Sequence, residues 1–131
     1  MSMFCFQCQE AAKGTGCTVK GVCGKDESTA KLQDLLIYDM KGIAVLAKNL
    51  KNAGVEVDMS VGLFLAQGLF TTITNANFDN ASLESWIKRS QVIKARLKKQ
   101  FDAMMRIPDE NGQRSGGKTA RVPIGMRPPF R

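Results

Sequence analysis

The stretch STAKLQDLLIYDMKGIAVLAKNLKNAG, residues 28–54, decides the architecture. Its apolar residues Leu32, Leu35, Leu36, Ile43, Leu46, Ala47 and Leu50 recur at intervals of three and four, the spacing that places side chains on one face of an α-helix. Ser28 or Thr29 supplies a hydroxyl to cap the free amides of the first turn. Gly54 stands where a left-handed residue closes a helix C-terminus. The segment reads as one long amphipathic helix whose apolar stripe must be covered by other parts of the chain.

Two further helices are expected downstream. One starts near Ser60 and carries Leu63, Phe64, Leu65, Leu69, Phe70 and Ile73, an apolar surface broad enough to be buried on more than one side. It fades into the polar stretch 74–80. The next opens around Asn80 or Ser82 with Glu84 in its first turn. Leu83, Ile87, Leu97, Phe101 and Met104 lie along one face, and Lys88, Arg89, Lys94, Arg96, Lys98 and Lys99 elsewhere. Pro108 stops it. Three helices with short connections predict an all-α fold, a small antiparallel three-helix bundle over residues 28–106. Residues 107–131, IPDENGQRSGGKTARVPIGMRPPFR, hold all four prolines and read as an irregular, basic Pro/Gly-rich tail.

Upstream, residues 1–27 contain every cysteine of the chain: Cys5, Cys8, Cys17 and Cys23, spaced C-x2-C-x8-C-x5-C. Four soft thiolates in so short a loop point to a metal or cluster site, the Cys-x-x-Cys turn aiming two of them together. A disulfide framework is disfavoured, because residues 1–20 show no secretory signal and reducing compartments keep thiols free. The protein is expected to be cytoplasmic. Structural zinc usually shows two Cys-x-x-Cys pairs or a Cys pair with a His pair. This chain has one pair and no histidine. Iron-sulfur clusters tolerate uneven gaps, so spacing alone leaves zinc and iron-sulfur both open. Gly14, Gly16, Gly21 and Gly24 allow tight turns that bring backbone N–H groups close to sulfur. Lys13, Lys20 and Lys25 place positive charge beside an anionic site, which favours its more reduced state. These features tilt the reading toward iron-sulfur, although glycines also suit a compact zinc loop and lysines are common on exposed loops.

Little else carries chemistry. Asp34, Asp39, Asp58, Asp79 and Glu84 show no recognisable pairing, and no phosphate loop, Ser-His-Asp set or dinucleotide fingerprint is present. The polar run Thr71, Thr72, Thr74, Asn75 and Asn77 reads as a helix end with local side-chain capping. A net charge of +7 raises nucleic acid as a partner, but the basic helix lacks interleaved aromatics; Trp86 and Phe101 read as core. The same charge suits an acidic redox partner, ferredoxin-like or flavodoxin-like. No stretch has the apolar length of a membrane span.

Three blocks carry a family resemblance: MFCFQCQEAAKGTGCTVKGVCGK (3–25), LQDLLIYDMKGIA (32–44) and AQGLFTTITNANFD (66–79). Together they resemble the N-terminal region of the hybrid-cluster, or prismane, family of hydroxylamine reductases, in register over roughly residues 3–106. The resemblance implies that Cys5, Cys8, Cys17 and Cys23 hold a cubane 4Fe-4S cluster, with the short spacing of the cubane-bearing classes. It also implies a helical N-terminal domain and a cluster that passes electrons to a hybrid cluster for reduction of hydroxylamine or nitric oxide. The histidine, glutamates and cysteines that hold that hybrid cluster lie downstream in the family, so this chain is expected to be inactive alone and to need the catalytic portion from another chain. The tail departs from the family, which is read as truncation in preference to a dedicated short subunit. The alternative function is a zinc-stabilised helical binding module without redox activity.

Overall fold

The computed structural model describes residues 3–73 and 77–106. Three helices follow an N-terminal loop: α1 (Glu27–Asn52), α2 (Met59–Thr72) and α3 (Asn80–Met104). Among the described residues no strand forms beyond one isolated bridge in the loop. The all-α three-helix bundle expected from periodicity is the observed fold. The tail at 107–131 and its Pro108 lie outside the described residues.

Each helix starts on an aspartate. Asp26, Asp58 and Asp79 accept hydrogen bonds from the amides of Thr29, Ser60 and Ala81, at 2.7, 2.7 and 2.9 Å. A carboxylate there satisfies an orphan N–H and meets the positive end of the helix dipole. The cap of α1 is therefore Asp26 rather than Ser28 or Thr29. The two hydroxyls, within the first turn, donate instead of capping: Ser28 Oγ to the Asp26 carboxylate itself and Thr29 Oγ1 to Asn80. Glu84 falls outside the first turn of α3, which has no acidic residue. At the other end of α1, Gly54 takes φ +76°, and its N–H donates to the Lys51 carbonyl while Val55 N–H donates to Leu50. Paired backbone bonds around a left-handed glycine close the helix as expected.

Consecutive helices run antiparallel, which leaves α1 and α3 parallel and in close register. Thr29 bonds Asn80 near their starts, and Asp39 bonds Ser90 and Lys94 further along. The core is Leu36, Met40, Ile43 and Leu50 from α1, Val61 and Phe64 from α2, and Leu83, Ile87 and Leu97 from α3. Phe101, Met104 and Trp86 pack at its edge. Burying each large aliphatic or aromatic side chain stabilises the fold by about 1.5–3 kcal/mol. Met40, not anticipated in the stripe, is buried against α2, whereas Leu35 is exposed.

The broad apolar surface of α2 is not buried on several sides. Val61, Phe64, Gly68 and Thr72 are buried and Leu65 packs partly against the core, while Leu63, Leu69, Phe70 and Ile73 are half or more exposed. The reason is geometric: α2 is little more than half the length of its neighbours, and α1 and α3 already pack on each other along their lengths, so α2 has a single face to bury.

Candidate metal centre

The loop before α1 is folded back on itself by its own backbone. Cys5 and Cys17 form an antiparallel bridge, each N–H donating to the other's carbonyl at 2.9 Å. A short 3-10 turn at Ala12–Gly14 reverses the chain between them, with Lys13 in the left-handed region at φ 55°. Cys8 heads that turn, its carbonyl accepting from Ala11 N–H. Cys23 lies in a second tight turn, in which Gly24 N–H donates to Gly21 and Gly21 N–H to Lys25. Gly16 beside the bridge is under strong constraint: its φ is +134°, and a Cβ there would stand 2.5 Å from Cε2 of Phe4 unless the ring moved.

The bundle supplies the floor. Met3 and Cys17 pack on Ala30 in the first turn of α1. The Asn80 side chain accepts from Thr29 Oγ1 at 2.8 Å and donates to Ser28 Oγ at 2.7 Å, tying the start of α3 to the start of α1. The site thus sits where α1 and α3 both begin. Phe78, in the connection before α3, comes beneath it.

All four cysteines line one small concavity, sharing its wall with Gln7, Glu10, Ala11, Gly21, Val22 and Lys25. All are free thiols; Cys17 is buried and the other three are partly exposed. Among the described residues no three cysteine or carboxylate side chains converge closely enough to hold a single ion, so the thiols rim a space rather than meet at a point. The Cys17 thiol is held below its ordinary pKa of 9.0, chiefly by the N–H of Ala12 and then that of Val22; burial opposes this and the Lys25 charge assists. The Ala12 N–H lies 3.4 Å from Sγ. Amides aimed at sulfur favour the thiolate, the form that binds metal.

Of the three loop lysines, Lys13 and Lys20 are exposed, but Lys25 is only 1% exposed. Its ammonium donates to Gln7 Oε1 at 2.8 Å, lies 3.7 Å from Cys5 Sγ, and sits 5.9 Å from the centroid of the Phe78 ring. The view of these lysines as ordinary exposed loop residues fails for Lys25. Its partners are remote in sequence, and no local pattern marks Gln7 or Phe78 as part of the site.

The remaining polar candidates serve the fold. Asp58 and Asp79 are helix caps, and Asp39 is buried against Ser90 and Lys94. Thr72 bonds back to the Leu69 carbonyl, and Asn77 donates to Thr71 and Ser82, the local capping read from the sequence; Thr74 and Asn75 lie outside the described residues. On α3, Arg89 stacks over Trp86 and Phe64 at 4.5 and 5.4 Å. Among the described residues no helix is long and apolar enough to cross a membrane.

A helical bundle with four cysteines around one concavity at one end defines the class: an all-α protein with a cysteine-rich N-terminal loop. The chain belongs to the prismane/CO dehydrogenase family, whose sequence profile matches residues 3–121. It is 52% identical over 113 residues to a hydroxylamine reductase of Halothermothrix orenii, covering 86% of this chain and 20% of that protein. A hydroxylamine reductase of Nitratidesulfovibrio vulgaris is 53% identical over 111 residues, 85% of this chain and 20% of its own length. One from Desulfitobacterium hafniense is 55% identical over 98 residues, 75% of this chain and 18% of its own. The chain spans about a fifth of the length of these relatives.

Proposed function

We propose that this chain is a 4Fe-4S electron-transfer module in which Cys5, Cys8, Cys17 and Cys23 are the cluster ligands. The observation that supports the reading is that all four cysteines line one concavity. The donor set fits: four soft sulfurs, one amide already directed at sulfur, and a buried cation in the wall. When bound, such a cluster takes up and releases one electron.

The chain's own residues do the rest. Cys5 and Cys17 are fixed by their backbone bridge, which orients two ligands without relying on the bound group. The Ala12 N–H favours the Cys17 thiolate, and the packing of Met3 and Ala30 on Cys17 excludes water from that sulfur. Phe6 and Val22, beside ligand positions, are exposed and leave the centre accessible to an electron donor or acceptor.

By its relatives' names, the wider reaction is hydroxylamine reduction. Having no histidine and no cysteine beyond Cys23, these 131 residues would serve that reaction by delivering electrons to catalytic groups that they do not themselves contain. The donor would be a ferredoxin-like or flavodoxin-like protein attracted to the basic surface. An electron-transfer rate unchanged by high salt would count against that donor.

The test is metal and sulfide analysis of protein purified without oxygen, with an absorption spectrum before and after dithionite. About four iron and four sulfide per chain with bleachable visible absorbance is the expected result. One zinc without sulfide replaces this reading with a zinc-stabilised binding module.

A further inference from the structure

We propose that Lys25 is the charge-compensating residue of the four-thiol centre, its buried ammonium offsetting thiolate charge and biasing the bound cluster toward the reduced state. The inference rests on the cluster reading above and adds a residue that is not a ligand.

Lys25 is among the largest fully buried side chains of the protein, beside Leu36, Ile43 and Leu50. Taking an ammonium out of water costs several kcal/mol unless an anion answers it. The ion pairs of the described residues are Lys31 with Glu27 and Lys94 with Asp39; among those residues no carboxylate lies within ion-pair distance of Lys25 Nζ. What surrounds that nitrogen is an amide oxygen, a sulfur and an aromatic face. All three are electron-rich, the surroundings that suit an ammonium. Two carboxylates stand further off, Glu10 in the same wall and Asp34, whose carboxyl feels the Lys25 charge, but Cys5 Sγ at 3.7 Å is nearer than either, so the thiolates of the shared cavity are its closest prospective anions.

The placement is built in. Lys25 directly precedes the Asp26 cap, so the start of α1 fixes its backbone, and the Gly21 N–H donates to its carbonyl at 2.7 Å. From there the side chain reaches across the loop to Gln7 and Cys5. An anionic centre that accepts an electron becomes more anionic. A fixed cation in a partly desolvated wall therefore stabilises the reduced form more than the oxidised one. A lysine that merely filled space or held Gln7 in place would have no such effect on the redox equilibrium.

The experiment uses the full chain, purified and reconstituted without oxygen, with iron and sulfide counted and the midpoint potential measured by spectroscopic titration. Lys25→Met is expected to favour oxidation about tenfold, a shift of about 59 mV for a one-electron couple, while Lys25→Arg stays near the wild type. A loaded Lys25→Met protein with the wild-type potential overturns the proposal. Should Lys25→Met fail to load, Gln7→Glu decides, because it sets a carboxylate against the ammonium at an exposed position. Gln9→Glu controls for a new charge beside a cysteine without a bond to Lys25. A lower potential in Gln7→Glu than in Gln9→Glu supports the proposal, and equal potentials overturn it. A wild-type protein that holds zinc and no sulfide overturns the cluster reading and this inference with it, an outcome distinct from a loaded wild type whose variants do not move.

Discussion

Cys5 and Cys17 exchange both of their backbone hydrogen bonds, N–H to carbonyl at 2.9 Å in each direction. This single bridge closes the loop and faces two of the four thiols toward one cavity. Everything proposed for the centre depends on that closure. It can be perturbed without touching any sulfur.

Gly16→Ala is the cleanest such perturbation. The new methyl meets the Phe4 ring and the backbone is held at a φ that L-residues rarely adopt, a strain of about 1–3 kcal/mol. Iron retention after reconstitution should fall severalfold, while far-UV circular dichroism keeps the signal of the helices. Full iron retention would show that the bridge is not needed to form the centre.

Acid should loosen the junction of loop and bundle through Asp26. Its carboxyl is held below the ordinary 3.8, first by the Thr29 backbone N–H, then by the Thr29 and Ser28 side chains. Because the native pKa is the lower one, the stabilisation is fully present above about 3.8 and is lost as pH falls through the native value. Urea midpoints of the metal-free protein should therefore drop across that window. Asp26→Asn keeps a capping oxygen but cannot titrate, so its midpoint should drop less; equal slopes for both proteins would remove Asp26 from the account.

Asp39 locks α1 to α3. It is 6% exposed, accepts from Ser90 Oγ at 3.1 Å and from Lys94 Nζ at 3.0 Å. Asp39→Ala removes both bonds to the charged group; the Ser90 hydroxyl keeps the Ile87 carbonyl at 2.7 Å, and the partly exposed Lys94 can turn to water. The expected loss is about 1–3 kcal/mol, read from urea unfolding. Adding Lys94→Met should cost little more; a fully additive double mutant would mean that the two do not interact.

The two faces of α2 should respond very differently to truncation. Phe64 is 4% exposed, and its ring stacks at 5.2 Å on Trp86; Phe64→Ala should cost about 3–5 kcal/mol. Phe70 is 67% exposed, and Phe70→Ala should stay within about 0.5 kcal/mol of the wild type. Similar losses at both positions in thermal or urea melts would show that the outer face of α2 is covered in solution.

The stripe of α1 was legible because its signal is local. Leu36, Ile43 and Leu50 fall on the buried side as their spacing requires, and Gly54 closes the helix through its bond to Lys51 three positions back and that of Val55 to Leu50 five positions back. Ser28 and Thr29 read as the α1 cap because either hydroxyl can accept from a first-turn amide, but the Asp26 carboxylate takes that place. Thr29 instead spends its hydroxyl on Asn80, a partner 51 positions away. On α2, hydrophobicity marked a helix but not which side would be covered, since that depends on how much surface α1 and α3 take from each other.

The sequence by itself determined three helices and a loop with four thiols, because helix periodicity, capping and cysteine spacing act over a few residues of chain. Only the tertiary structure decided that the loop rests where α1 and α3 both begin, that α2 buries a single face, and that Lys25 is enclosed beside the thiols while Lys13 and Lys20 face water. The ammonium of Lys25 meets partners 18 and 20 positions earlier in the chain and a ring from the connection before α3. Such an environment is a property of folded space, where desolvation and charge are set by what the fold brings near rather than by what the chain places next.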